Sequence, residues 1–138
     1  MREYGMPSNR ELIKQFYERF NERDLDAAMT VVADDVEMTA PGLGTVHGAA
    51  HLREYLEGVI GPIPDGHDTL LAVHDAGDAV TVEGRFRGTY RDGATERRID
   101  LLFADVFGIQ DGKIVWCHAY YDENDYLAQV GLTANAPG

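Results

Sequence analysis

The chain has one cysteine, Cys117, in 138 residues. That excludes an intramolecular disulfide and a cysteine-rich zinc site. Positive charge is also scarce: 12 Lys and Arg stand against 24 Asp and Glu, a net charge of −12. A surface of that sign repels phosphate backbones and anionic lipid, so no nucleic acid and no membrane is expected as a partner. The acid is spread along the sequence and reads as a solvated surface, not a tail. No apolar run is long enough to span a bilayer, and Met1 to Pro7 lacks the apolar core of a signal peptide. The expectation is a soluble, cytoplasmic protein. Repeats, linkers and low-complexity stretches are missing too, and the length suits one domain over 1–138, with 1–7 and 133–138 expected to be mobile.

What is present is two kinds of periodicity. Ser8-Asn9-Arg10-Glu11 has the form of a capping box. Leu12, Ile13, Phe16, Tyr17 and Phe20 then recur on one helical face to about Glu22. Asp24 can cap a shorter helix carrying Leu25, Ala28, Met29 and Val32, with Asp34-Asp35 as its stop. Val36 to Ala40 reads as a strand and Pro41 to Gly44 as a loop. Leu52, Tyr55, Leu56, Val59 and Ile60 mark a third helix from Gly48 to Ile60, ended by Gly61-Pro62-Ile63-Pro64. Asp68 to His74 is a strand, and Asp75 to Asp78 a turn. From Ala79 to Tyr90, Val82, Gly84, Phe86 and Gly88 alternate with Glu83, Arg85 and Arg87, the period of a sheet with one buried face. Gly84 and Gly88 suit sheet curvature.

The last third is strand, tight turn, strand and short helix. Runs 96–109 and 113–121 flank Gln110-Asp111-Gly112, a strong hairpin signal. Asp122 begins the terminal helix, with Asp125 three residues on; capping and catalysis are both open to it. Helices first and an antiparallel meander after make an α+β fold, the helices covering one face of a curved sheet.

In strand 97–109 one face carries Ile99, Leu101, Phe103, Asp105 and Phe107. Asp105 is a carboxylate in an apolar row. Desolvated, it would hold its proton to higher pH and serve as a general acid or base; paired with a donor, it would be structural. What faces it depends on the turn. A two-residue Asp111-Gly112 turn pairs Gln110 with Lys113 and sets Asp105 opposite His118. A three-residue turn with a bulge at Gly112 pairs Ile109 with Lys113, sets Asp105 opposite Cys117 and sets Tyr121 opposite Leu101. One residue of slip exchanges the faces.

Several stretches resemble the nuclear transport factor 2-like superfamily, in particular its SnoaL-like polyketide cyclase and ketosteroid isomerase branch. They are Phe20 to Leu25, Val32 to Val36, His47-Gly48 opening a helix, Asp111 to Ile114, and Tyr120 to Asp122 before Leu127 to Leu132. The resemblance implies a cone-shaped barrel of curved antiparallel sheet packed on N-terminal helices, a deep pocket between sheet and helices, no cofactor, and a homodimer through the outer sheet face. It favours the second hairpin register. The family's catalytic groups do not carry over. The isomerases' base falls at Ala40 and their helix-1 tyrosine at Phe16. The cyclases' last-strand acid falls at Ala119, and the Arg-x-Asp of related epoxide hydrolases falls near Gly84 and Phe86.

The expected catalytic residues are therefore Asp105, Tyr121 and His47, the last overhanging the pocket mouth. The expected substrate-binding wall is Phe16, Tyr17, Met38, Tyr55, Phe86, Leu101, Phe103 and Cys117. Tyr17 and Tyr55 are open to core packing or to a phenol reaching the cavity. Trp116, His118 and Tyr120 go to the outer face. His47 and His51, four apart, lack a third ligand and the Glu of a zincin helix, so no metal is expected. Two functions stand. One is a cofactor-free isomerase, cyclase or lyase acting on a hydrophobic, polyketide- or steroid-like molecule. The other is a non-catalytic binder with the same pocket.

Overall fold

The first helix, α1 (Asn9–Asn21), starts where the capping box predicts. Ser8 Oγ accepts from the Glu11 amide, and the Glu11 carboxylate reaches back to the Ser8 amide. In the computed structural model, which describes residues 7–132, there follow α2 (Leu25–Met29), β1 (Val32–Ala40), β2 (Gly44–His47), α3 (Ala49–Ile60), β3 (His67–Asp75), β4 (Ala79–Asp92), β5 (Thr95–Gln110), β6 (Lys113–Tyr121) and α4 (Glu123–Gln129). Apart from Pro7, the ends expected to be mobile lie outside the described residues.

The fold is α+β. The six strands form one curved, open sheet in the order β2-β1-β6-β5-β4-β3. Every pair is antiparallel except β1 and β6, which run parallel. Helix α1 packs on β3 and β4, and α3 on β1 and β2. Leu12, Ile13, Phe16 and Phe20 of α1 meet Val80, Val82, Phe107, Ile109 and Ile114 of the sheet in a continuous core. Each such side chain stabilises the fold by roughly 1.5–3 kcal/mol when fully buried. No helix among the described residues is long and apolar enough to cross a membrane.

Three local expectations need correction. Helix α2 stops at Met29, because Thr30 Oγ1 donates to the Ala27 carbonyl at 2.7 Å and closes its end. Val32, expected on that helix, instead opens β1 against Ile114, and Asp34-Asp35 lie exposed within the strand. The segment after Pro41 is more than a loop: β2 folds back on β1 with Ala40 opposite Gly44. The third correction is the hairpin. Asp111 (φ 51°) and Gly112 (φ 72°) both adopt left-handed backbone, which makes a two-residue turn with Gln110 opposite Lys113. Val115 is then an extra residue between the pairs Ile109–Ile114 and Gly108–Trp116. This bulge returns β6 to the face that the three-residue turn would have given, two residues further along. Asp105 faces Ala119 and not Cys117 or His118, and Tyr121 faces Phe103 and not Leu101.

A second bulge lies in β3. Ala72 pairs with Glu83 and Leu70 with Gly84, leaving Leu71 over. Beyond it Asp68 stands opposite Phe86 on the buried side of the sheet. Gly84 is glycine for want of room, since a Cβ there would lie 2.3 Å from the Phe103 ring.

Candidate functional site

Between the concave sheet face and helices α1 and α3 lies a cavity of about 350 Å³, near the lower end of the range of roughly 300–1,000 Å³ for small-molecule sites. Its wall includes all eight expected binding residues: Phe16, Tyr17, Met38, Tyr55, Phe86, Leu101, Phe103 and Cys117. Asp105 and Tyr121, two of the three expected catalytic residues, line it as well. His47 does not. It pairs with Glu37, which pairs with Trp116, so it stands exposed on the far side of the sheet. The expectation that it overhangs the pocket mouth is corrected by that register.

The rest of the wall is apolar, apart from one further carboxyl, Asp68, and the Tyr126 phenol. Among the described residues, the lining contains no Lys, Arg or His. Asp105 extends from the middle of β5 into this cavity. Among the described residues its own strand and the opposite strand offer no donor, and the one it has comes from α1: the Tyr17 hydroxyl donates to Asp105 Oδ2. Helix α1 is amphipathic because Leu12, Ile13, Phe16, Tyr17 and Phe20 share a face, and this face delivers the phenol. The Tyr17 ring is fixed by edge contacts with Phe16 and Phe107 and by stacking on Phe103. Burial pushes the Asp105 carboxyl up to about 6, against the Tyr17 hydrogen bond, which favours the ionised form. Burial and the adjoining carboxyl push the Tyr17 phenol up well above its ordinary value, so it is a donor at neutral pH.

Asp68, which no pattern in the sequence singled out, is the second acid. Burial, and then the charge of Asp105, push it up to about 7, with Arg23 opposing. Reading β3 and β4 in unbroken register would set Asp68 opposite Arg87 on the wet face. The Leu71 bulge, invisible in the sequence, turns it inward.

The remaining phenols form a short chain. Tyr55 of α3 lies beside Tyr121, and both phenols are pushed up, chiefly by burial. Tyr121 in turn points at the Pro41 carbonyl, 3.5 Å away, and its ring meets Tyr126 of α4 edge-on. Cys117 is buried, and its thiol is pushed up by that burial, so it is a protonated wall residue. Asp122 caps α4, accepting from the Asp125 amide at 3.0 Å. His51 Nδ1 sits 2.8 Å from the His47 carbonyl. Among the described residues, no three His, Cys, Asp or Glu side chains cluster as metal ligands would.

The model of the SnoaL-like domain matches residues 13–117. No protein in the curated set matches the chain. Among solved structures, a protein of ketosteroid isomerase-like fold from Catenulispora acidiphila, solved with trimethylamine, is 22% identical with a TM-score of 0.78. That match covers 95% of this chain and all of the other. A putative polyketide cyclase from Pseudomonas putida is 23% identical with a TM-score of 0.76, covering 90% of this chain and 98% of its own. A second putative polyketide cyclase, from Xanthomonas campestris, is 26% identical with a TM-score of 0.73, covering 89% and 99%.

Proposed function

The chain belongs to the SnoaL-like domain family, and from that premise we propose that it is a cofactor-independent isomerase, cyclase or lyase acting on a hydrophobic, polyketide- or steroid-like molecule. The observation that carries this reading is Asp105: a carboxyl bordering open cavity, held by one phenol, with its midpoint near neutrality. A carboxylate in that state removes a proton from carbon beside a carbonyl more readily than one in water, because its charge is less stabilised by solvent. The Phe16, Phe86 and Phe103 rings hold a planar substrate against it.

The second reading, a binder without turnover, is favoured by Ala40, Phe86 and Ala119. Each stands where the family resemblance would have an acid. One experiment separates the two. In heavy water, 2-tetralone, a bicyclic ketone, is offered to the protein, and deuterium uptake at its C1 is followed by mass spectrometry. The enzyme reading expects uptake above the buffer rate, lost at least tenfold in Asp105→Asn. Uptake at the buffer rate, or uptake indifferent to Asp105→Asn, leaves the binder.

A further inference from the structure

We propose that Asp68 is a second catalytic residue of this cavity, the proton donor that works opposite Asp105. The inference rests on the enzyme reading of the same site and adds a group to it.

Geometry comes first. Asp68 and Asp105 lie on one face of the sheet. Asp68 pairs with Phe86, Phe86 pairs with Leu101, and Asp105 stands four residues further along β5. The two carboxyls thus enter the cavity from two strands of that one face, β3 and β5, and both line it. One face of α1 stations both acids. Tyr17 donates to the Asp105 carboxylate. Asn21, one turn on at i+4, clamps the Asp68 backbone. Its Oδ1 accepts from the Asp68 amide at 2.9 Å, and its Nδ2 donates to the Asp68 carbonyl at 2.9 Å. This clamp also satisfies peptide groups on β3, an edge strand of the sheet.

The carboxyl itself is left free. Among the described residues, no side chain or backbone donor is hydrogen-bonded to it. The charged and titratable groups it feels are Asp105 across the cavity, Arg23 beyond the end of α1, and the Tyr17 phenol. Arg23 is occupied elsewhere, donating to the Phe20, Asn21, Pro64 and Gly66 carbonyls. A mostly buried carboxyl with no donor carries its proton at a pH where Asp105, held by a phenol, has lost its own. One acid and one base therefore coexist near neutrality.

The step balances. The Asp105 carboxylate takes a proton from the carbon beside a substrate carbonyl. The C–H electron pair becomes a C=C bond, the carbonyl π pair moves to oxygen, and that oxygen takes the Asp68 proton. The products are an enol, protonated Asp105 and ionised Asp68; reversal, or attack of the enol elsewhere in the substrate, completes the turnover.

The same 2-tetralone exchange tests this, now as a function of pH. The parent should give a bell, rising as Asp105 ionises and falling as Asp68 loses its proton. Asp68→Asn keeps the backbone that Asn21 clamps. It should lower exchange at least tenfold at the optimum and remove the alkaline limb, with a melting temperature no lower than the parent's. Asp68→Glu, which restores a titrating group, should restore the limb. If Asp68→Asn keeps both rate and limb while Asp105→Asn still abolishes exchange, Asp68 is no donor and the enzyme reading survives. If the parent does not exceed the buffer, or Asp105→Asn changes nothing, both fall.

Discussion

At the scale of single residues, the site turns on a phenol meeting a carboxylate. Asp105 without Tyr17 would be a buried acid with nothing to favour its charge, and it would stay protonated to higher pH than about 6. Tyr17→Phe removes the donor and leaves the ring packed on Phe103 and Phe107. The Asp105 midpoint should then rise, and the acid limb of any activity should move with it. Carbon-13 detection of the side-chain carboxyl reads this directly; an unchanged midpoint would mean that the hydroxyl does not bind the carboxylate in solution. Asp105 was legible in the sequence as a charge in an apolar row of period two. Its partner was not. Tyr17 reads equally well as core, because helical periodicity gives the face a residue occupies but not the strand residue it meets.

At the scale of elements, two single-residue bulges decide the chemistry. Without the Leu71 bulge, β3 would be read with Asp68 opposite Arg87. Without the Val115 bulge, a two-residue turn would bring His118 opposite Asp105. Helix starts were legible because Ser8 and Asp24 cap them by local chemistry. Strand faces were legible from alternation. Bulges leave no such trace, since the extra residue looks like its neighbours, and so Asp68 went unseen. The Val115 bulge also sends Trp116, His118 and Tyr120 to the outer face. There Trp116 lies over Gly108, so closely that a Cβ would be 1.9 Å from its ring, and His118 pairs with Glu37 at 3.1 Å. Leu102 and Tyr120 remain 58% and 55% exposed on β5 and β6. A second copy of the chain is the expected cover for this face. In sedimentation equilibrium the parent should be a dimer and Leu102→Glu a monomer. A parent that sediments as a monomer at high concentration removes the proposal.

At the scale of the molecule, the fold carries two acids inward at a cost to its own stability. In the unfolded chain both carboxyls lose their protons near 3.8; in the folded chain they keep them to about 7 and about 6. Between those limits the folded state binds more protons than the unfolded one, so stability falls as pH rises and levels off above about 7. This runs opposite to an ordinary ion-paired carboxylate, whose contribution grows with pH. A cavity that carries such a penalty, with no Lys, Arg or His on its wall among the described residues, suits two carboxyls that exchange protons with a bound molecule, and that proposed role is the central claim. Unfolding by urea, measured from pH 4 to pH 8 on the parent and on the Asp68→Asn, Asp105→Asn double variant, tests it most directly. The parent should lose stability relative to the double variant by an amount on the order of a few kcal/mol across that range. A parent that instead gains on the double variant as pH rises would show both carboxylates ionised and paired in the folded protein, and would contradict the account.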